Sequence, residues 1–510
     1  MKNLLIYTSI LILTSCAIQK GKYKVSKKET TEKYANTITV EELKKHLTIL
    51  ASDEYEGRET GKKGQIMTGD YLKNEFIKMG IAPGNNGSYF QNFTLTETTS
   101  PTGIFNYKNK IFNYLEDFYF YQNYTSVNNV TINVQTEDII FVSHGIKNKE
   151  RDDYKNLNLK GKTAVILVEN PEKIKFTWRQ KLDAAKKNGA EVVFFYSEKF
   201  KENTKRLEHY LTKSKLELGN KLNTEKKNIN IPFFFISKEF YTQLTVNSKE
   251  DKEEESKFSN YNKLKFFTTS NKKLVQSNNV LGFIEGSDEE LKKEVIIITA
   301  HYDHLGIING VVNNGADDDG SGTVALLEIA QAFQIAKNEG NGPKRSVLIM
   351  PVSGEEKGLL GSSYYADNPV FPLKNTVVDL NIDMIGRIDT FHTNDNYVYL
   401  IGADKISEEL HYVSEAVNKT YSNLELDYRY NNDKDPNRFY YRSDHYNFAK
   451  KGIPVIFYFT GVHEDYHKPT DDIEKILFPK LARITKLVFY TAWEIANKEE
   501  RLKITTTEKE

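Results

Sequence analysis

Four short runs of apolar, mostly β-branched residues set the frame of this chain: EVIIITA, SVLIMPVS, VVDLNI and IPVIFYFTG. Consecutive apolar positions over so few residues are the mark of strands buried on both faces. Each run ends in, or just before, ionisable side chains. The first leads into His301-Tyr302-Asp303-His304 and the second into Gly354-Glu355-Glu356, while the third delivers Asp383 and the fourth is followed by Tyr466-His467. Helical patterns intervene, as in SGTVALLEIAQAFQIAK, where Val324, Leu327 and Phe333 share one face. Strands alternating with helices predict an α/β fold, a mainly parallel mixed sheet flanked by helices, with ligands bound outside the carboxyl ends of its strands.

Taken singly, a His after a strand is ordinarily a hydrogen-bonded or surface residue, and a Glu pair is a solvated helix start. An Asp late in an apolar strand is harder to dismiss, because a buried carboxylate without a partner costs several kcal/mol or takes up a proton. Four such strand ends at one sheet edge point to a metal site. Two His and three carboxylates exceed the needs of one tetrahedral ion and suit two ions that share a carboxylate. The shared group belongs on tight backbone, and the glycine-flanked loop GADDDGSG, with Asp317, Asp318 and Asp319, is its source.

The rest of the chain divides by texture. In MKNLLIYTSILILTSC, one lysine and an apolar run too short to span a bilayer precede Cys16, the only cysteine. Leu13-Thr14-Ser15-Cys16 resembles a bacterial lipobox, which makes 1–16 a lipoprotein signal peptide, Cys16 the lipidation site, and the protein an exported lipoprotein held to a membrane by its N-terminal lipid. Ala17 in place of Asp favours the outer membrane. Residues 17–38 read as a polar tether. Thr39-x-x-Glu42 forms a capping box opening the N-terminal part of the main domain, 39–100, with a second helical pattern near 66–79. From 101 to 278 short β-type runs (TINVQ, KTAVILVE, EVVFFYS, IPFFFIS) and one helical segment, RQKLDAAKKNGA, predict an inserted, mostly β domain. The main domain resumes over 279–498, and 499–510 is a polar tail. Lys plus Arg and Asp plus Glu both number 70, so no net field draws the chain to nucleic acid.

His301-x-Asp303, GADDDGSG, Ser353-Gly354-Glu355-Glu356, Asp383 in NIDMIGR and His467 in DYHKPTDD together resemble the di-zinc exopeptidase family of bacterial leucyl aminopeptidases, aminopeptidase Y and glutamate carboxypeptidase II. LASDEYEGRETG is similar to that family's N-terminal segment, and the insertion is similar in place and size to a protease-associated (PA) domain. The resemblance implies a zinc exopeptidase-like fold acting on peptide substrates with two Zn2+, for which Mn2+ or Co2+ can substitute. It makes Asp318 the bridging ligand, with Glu356 and His467 completing one site and His301 and Asp383 the other. It implies a zinc-bridged water activated by Glu355, an oxyanion stabilised by Tyr466, and Asp303 bonded to the far nitrogen of His301. It places Asp319 after a cis peptide, leaves Asp317 variable and tolerant of Asn, and gives Asp444 and His445 supporting roles.

In the segment where the resembling glutamate carboxypeptidase branch places an arginine pair, FYFTGVHED contains no Arg or Lys to hold a substrate carboxylate, which favours an aminopeptidase. Arg438 and Arg442 keep a carboxypeptidase open, and a glutaminyl cyclase-like aminoacyltransferase or a non-catalytic receptor-like protein are the further alternatives. Phe439, Tyr440 and Tyr441 could line a pocket for an apolar side chain.

Overall fold

The computed structural model describes residues 23, 25, 28–100, 102–107, 110–121, 131–135, 138–222, 231–246, 263–269 and 271–505. The expected signal peptide and lipidation site, Cys16, lie outside them. Two compact units emerge, one built from 1–93 and 276–510 and the other from 94–275. The expected insertion bounds of 101 and 278 shift because the strand Phe90–Thr98 begins in the first unit and ends in the second.

In the first unit the strands are β1 (Ala82–Pro83), β2 (Gly282–Ile284), β3 (Val295–His301), β4 (Ser346–Val352), β5 (Thr376–Ile382), β6 (Tyr397–Ile401), β7 (Glu425–Asp427) and β8 (Val455–Phe459). They form one sheet in the order β1-β2-β4-β3-β5-β8-β6-β7. The centre, β4-β3-β5-β8, is parallel, while β1 on β2, β2 on β4 and β6 on β8 are antiparallel. All residues of β3, β4, β5 and β8 are buried, so each apolar run lies between two covered faces.

The covering helices are α1 (Lys28–Ala35), α2 (Val40–Leu50), α3 (Lys63–Met79), α4 (Gly322–Asn338), α5 (Leu360–Asp367), α6 (Glu408–Val417), α7 (His445–Ala449) and α8 (Phe478–Asn497). Thr39 caps α2 by accepting the Glu42 N–H at 3.2 Å, but the return arm of the expected box is supplied from elsewhere: Thr39 N–H donates to Glu328 on α4. Gly80, with φ of 75°, ends α3 in the left-handed conformation that Gly adopts without a Cβ penalty. Phe333 of α4 stacks on Trp493 of α8.

Two expectations about the ends are corrected. Residues 28–38 are not tether but helix and core, because Thr31, Tyr34 and Ala35 recur at helical spacing and are buried with Ile38. The tail is docked through 505: Leu502 is buried and the Lys503 N–H donates to Glu409. Among the described residues no helix is long and apolar enough to cross a membrane.

The second unit has a five-stranded sheet in the order Phe118–Tyr119, Phe233–Ile236, Val192–Tyr196, Thr163–Leu167, Ile139–Phe141, parallel except at Phe118–Tyr119. A four-stranded antiparallel sheet runs Lys110–Asn113, Thr102–Tyr107, Lys263–Thr269, Thr131–Gln135. Phe105, Phe194, Phe234 and Phe266 meet in its core. Its helices are Trp178–Lys187, Phe200–Thr212 and Lys238–Val246, so the unit is less purely β than its sequence suggests. In FKENTKRLEHYLT the helical stripe is diluted by lysine and glutamate, and no helix is expected there from the sequence.

Candidate metal centre

The carboxyl edge of the central strands collects the predicted residues. His301 closes β3, Glu355 and Glu356 follow β4, Asp383 follows β5, and the loop after β8 carries Tyr466 and His467. The aspartate loop enters at their middle, immediately before α4. Asp318 turns one oxygen to each half of the site: its Oδ1 lies 3.4 Å from His301 Nε2, and its Oδ2 lies 3.2 Å from His467 Nε2. His301 Nε2 is also 3.7 Å from Asp383 Oδ2, and His467 Nε2 is 3.5 Å from Glu356 Oε2. Glu355 lines the same pocket, its Oε2 4.0 Å from His301 Nε2.

The electrostatics describe a site that calls for cations. Burial opposes charge on His467, yet Asp318 and Glu356 outweigh it and push the imidazole up to about 10. Burial likewise opposes protonation of His301, and Glu355, Asp383 and Asp318 overcome it. Burial and then Asp318 act against ionisation of Glu356, but His304 and His467 hold it at about 2. Glu355 behaves differently: burial drives its carboxyl well above the usual range, Glu356 and Asp383 add to this, and only His301 among the leading influences opposes it. A carboxyl displaced upward beside strongly acidic neighbours has the environment of a proton carrier.

Several buried atoms here lack a hydrogen-bond partner, namely both ring nitrogens of His304, Asp318 Oδ2 and Glu356 Oε1. Imidazole nitrogen and carboxylate oxygen are the donor set of zinc, so the residues fit the metal their sequence pattern implies. Two groups each gather donor atoms within 4.8 Å: His301, Asp319 and Asp383, and His304, Asp318 and Glu356. In the first, Asp319 is already occupied, its carboxylate accepting the N–H groups of His301, Gly322 and Met384 at 3.2, 2.9 and 3.1 Å. It braces the loop. The Asp318–Asp319 peptide is cis.

His304 had no assigned role in the sequence. It is fully buried, with Nδ1 3.0 Å from Glu356 Oε1 and 3.7 Å from Asp318 Oδ2. Gly315, with φ of 55°, makes room for it, since a Cβ there would come within 2.4 Å of the imidazole. The HYDH spacing is its only sequence signal.

Three supporting assignments change. Asp303 does not engage His301 through its carboxylate, which is 3.8 Å from Nδ1; its backbone oxygen does so at 3.0 Å. A main-chain carbonyl two residues on reaches the ring more directly, leaving the carboxylate to accept Thr60 Oγ1 at 2.6 Å and the Glu355 N–H at 3.2 Å. Asp303 thus positions Glu355. Asp317 is fully buried: Oδ1 accepts the Gly386 N–H at 2.6 Å, and Oδ2 lies 3.3 Å from His463 Nε2. It is not a free position. Asp444 and His445 are buried behind the site, Asp444 accepting Ser362 Oγ at 2.5 Å and His445 stacked on Phe457. Burial, only partly offset by His301, pushes Asp444 up to about 7.

Other contributors were not anticipated. Ser443 Oγ donates to Asp383 Oδ2 at 2.7 Å, and Asp471 accepts the N–H groups of Asp317 and Asp318. Arg58 is fully buried, with Nε donating to Tyr302 O at 3.0 Å, Nη1 to Leu50 O at 2.7 Å and Asn314 O at 2.6 Å, and Nη2 to Gly315 O at 2.8 Å. Beside the metal-binding groups the pocket wall is aromatic and apolar, with Met384, Phe439, Phe457, Phe459 and Val462, and among the described residues Arg442 is its one cation apart from the imidazoles. Tyr466 stacks on His467 and accepts a hydrogen bond from Arg442 Nη2 at 3.3 Å; Tyr440 and Tyr441 do not line the pocket.

This sheet, with paired imidazole and carboxylate groups around a shared aspartate at its carboxyl edge, defines a zinc exopeptidase-like α/β protein. Residues 279–492 match the model of peptidase family M28. It is 27% identical over 257 residues to aminopeptidase YwaD of Bacillus subtilis (strain 168), covering 47% of this chain and 48% of that one. It is 28% identical over 270 residues to a probable zinc metalloprotease of Pyrenophora teres f. teres (strain 0-1), covering 44% and 52%. The chain thus matches about half the length of these curated relatives. The fold is shared with a solved aminopeptidase from Aneurinibacillus sp. strain AM-1, at a TM-score of 0.54 and 18% identity over 94% of this chain and 98% of that one. It is also shared with a zinc aminopeptidase from Bacillus subtilis, at 0.53 and 19% over 91% and 96%.

Proposed function

We propose that the chain is a metal-dependent aminopeptidase that removes the N-terminal residue of peptides. The observation that carries this reading is Asp318, with one oxygen toward each of two His–carboxylate pairs and with Glu355 beside His301. Zinc, two ions per chain in this reading, supplies Lewis acidity that polarises the scissile carbonyl and acidifies water. Glu355 takes a proton from the attacking water and delivers it to the leaving amine, held to this task by its own N–H on Asp303. Burial, together with Asp318 and Glu356, raises the Tyr466 hydroxyl far above its usual range, so it stays protonated and donates to the developing oxyanion. The aromatic wall takes an apolar side chain and excludes water.

Arg442 favours a second reading, a carboxypeptidase, because a guanidinium in the pocket can hold a substrate's free carboxylate. A peptide-library digest separates the two. Aminopeptidase action is blocked by N-acetylation and indifferent to C-terminal amidation, and the reverse result replaces the first reading with the second. Glu355→Gln should retain metal and lose about 10² to 10⁴-fold in rate; unimpaired turnover would exclude Glu355 as the base. We also propose that the protein is exported and lipid-anchored through Cys16; Cys16→Ser should leave the membrane fraction, and its retention there would refute the anchor.

A further inference from the structure

A second cluster of metal-binding side chains lies away from the active centre, where α2 meets α4. His46 Nε2 is 3.9 Å from Glu42 Oε2 and 3.9 Å from Glu328 Oε1, and one donor atom from each of the three residues lies within 4.8 Å of the others. The side chains of His46 and Glu328 are 2% and 0% exposed, and that of Glu42 is 39% exposed and opens the cluster to solvent. Glu328 Oε2 accepts the Thr39 N–H, whereas Oε1 is buried with no partner.

Why a carboxylate should stand in an otherwise apolar stretch of α4, aimed at an imidazole and a second carboxylate, needs a physical reason. A direct hydrogen bond is not that reason, because it requires about 2.7 to 3.2 Å and the nearest pair is 3.9 Å apart. A divalent ion bonded at about 2.0 to 2.2 Å to each ligand spans separations up to roughly 4 Å. The imidazole is also set for a metal. Its Nδ1 is 2.6 Å from the Tyr71 hydroxyl, an outer partner that fixes the ring and leaves Nε2 facing the two carboxylates. Lys45 salt-bridges the same oxygen, Glu42 Oε2, at 2.9 Å, and a cation bound there would compete with that exposed ammonium.

We propose that Glu42, His46 and Glu328 bind a divalent cation of the zinc class, distinct from the active centre, that ties α2 to α4. Because α4 starts immediately after Asp318 and Asp319, such an ion braces the helix on which the active-site loop is mounted.

The test is metal content of the full chain, equilibrated with Zn2+ alone and freed of excess, for wild type, His46→Gln, Glu328→Gln and the milder, partly exposed Glu42→Gln. Wild type should hold one Zn2+ per chain more than His46→Gln and Glu328→Gln, and Glu42→Gln should bind that ion at least about tenfold more weakly. With Co2+ as probe, the wild-type minus His46→Gln absorption difference should titrate as a single site. Equal zinc content in wild type and all three variants overturns the proposal and leaves a buried carboxyl–imidazole pair. If the two buried variants fail to fold, an unchanged zinc stoichiometry and affinity in Glu42→Gln overturns it alone. Loss of both active-centre ions through Glu356→Gln and His301→Gln should not remove this one, so the result is independent of the function proposed above.

Discussion

Replacing Arg58 tests whether a buried guanidinium, rather than the metal-binding groups alone, sets the geometry of the site. Its four hydrogen bonds end on carbonyls of three separate segments: Leu50 at the end of α2, Tyr302 between His301 and Asp303, and Asn314 and Gly315 just before the aspartates. Hydrogen bonds from a charged donor contribute about 1.5 to 3 kcal/mol each, and four in one group are not additive. Arg58→Met takes a charged donor from four carbonyls, of which Gly315 O keeps the Gly320 N–H, in a site with no exposed surface, so a loss of about 4 kcal/mol is expected, at the upper end for a single substitution. Arg58→Lys keeps the charge but has three donors on one nitrogen and cannot reproduce the fork, so about half that loss is expected. Denaturant unfolding of the zinc-loaded and chelated forms measures the stability term. Competition with a chromophoric chelator measures zinc affinity, which should fall by about 10 to 100-fold, the usual effect of loosening a group that orients ligands. If Arg58→Met changed stability by less than about 0.5 kcal/mol and left zinc affinity within about twofold, the guanidinium would not be what holds the loop.

His304→Asn should weaken metal binding at the half of the site containing Glu356 and His467 by about 10 to 100-fold, read from zinc titration; unchanged affinity would make His304 a filler of space. Asp317→Asn should cost about 1 to 3 kcal/mol in denaturant unfolding, because its amide can still accept the Gly386 N–H but no longer offers a carboxylate to His463; a neutral result would restore Asp317 as a free position. In metal-free protein, burial raises Glu328 from the ordinary 4.5 to about 7. A folded-state pKa above the unfolded one adds stability below about pH 4.5 that is lost as pH rises through about 7, and linkage puts its full size on the order of 3 kcal/mol. The wild-type minus Glu328→Gln stability difference should therefore fall across that window in chelator, and a flat difference would show that Glu328 ionises normally.

What could be read from the sequence follows from range. The central strands announce themselves because residues buried on both faces must be apolar at every position, and the ends of such runs expose the few side chains that break the rule: His301, Glu355, Glu356 and Asp383. Their convergence is then a property of sheet topology, which alternating strands and helices already imply. Arg58 obeys no such rule. In DEYEGRE it has the composition of a solvated loop, and only the fold carries it beneath Tyr302 and Gly315, where its charge is used by carbonyls far along the chain. Ser443 and Asp471 are hidden for the same reason, since a serine on Asp383 or an aspartate on the amides of Asp317 and Asp318 has no local pattern.

Thr39-x-x-Glu42 shows how a local rule can mislead while still finding the right boundary. Thr39 does cap α2, but the carboxylate that answers its N–H is Glu328, some 290 positions away in sequence and mounted on α4. Glu42 instead faces Lys45 and His46. The capping motif and the proposed cation site share residues because one exchange, a distant glutamate taking over a local hydrogen bond, brings two carboxylates to one imidazole. The same exchange couples the ends of the argument: the helix that leaves the aspartate loop supplies the group that fixes the first turn of α2, and α2 ends at Leu50, whose carbonyl Arg58 grips together with that loop. A perturbation at Glu328 should therefore be felt at the active centre through α4 and Arg58, and one confined to Glu42 only through the ion it helps to hold.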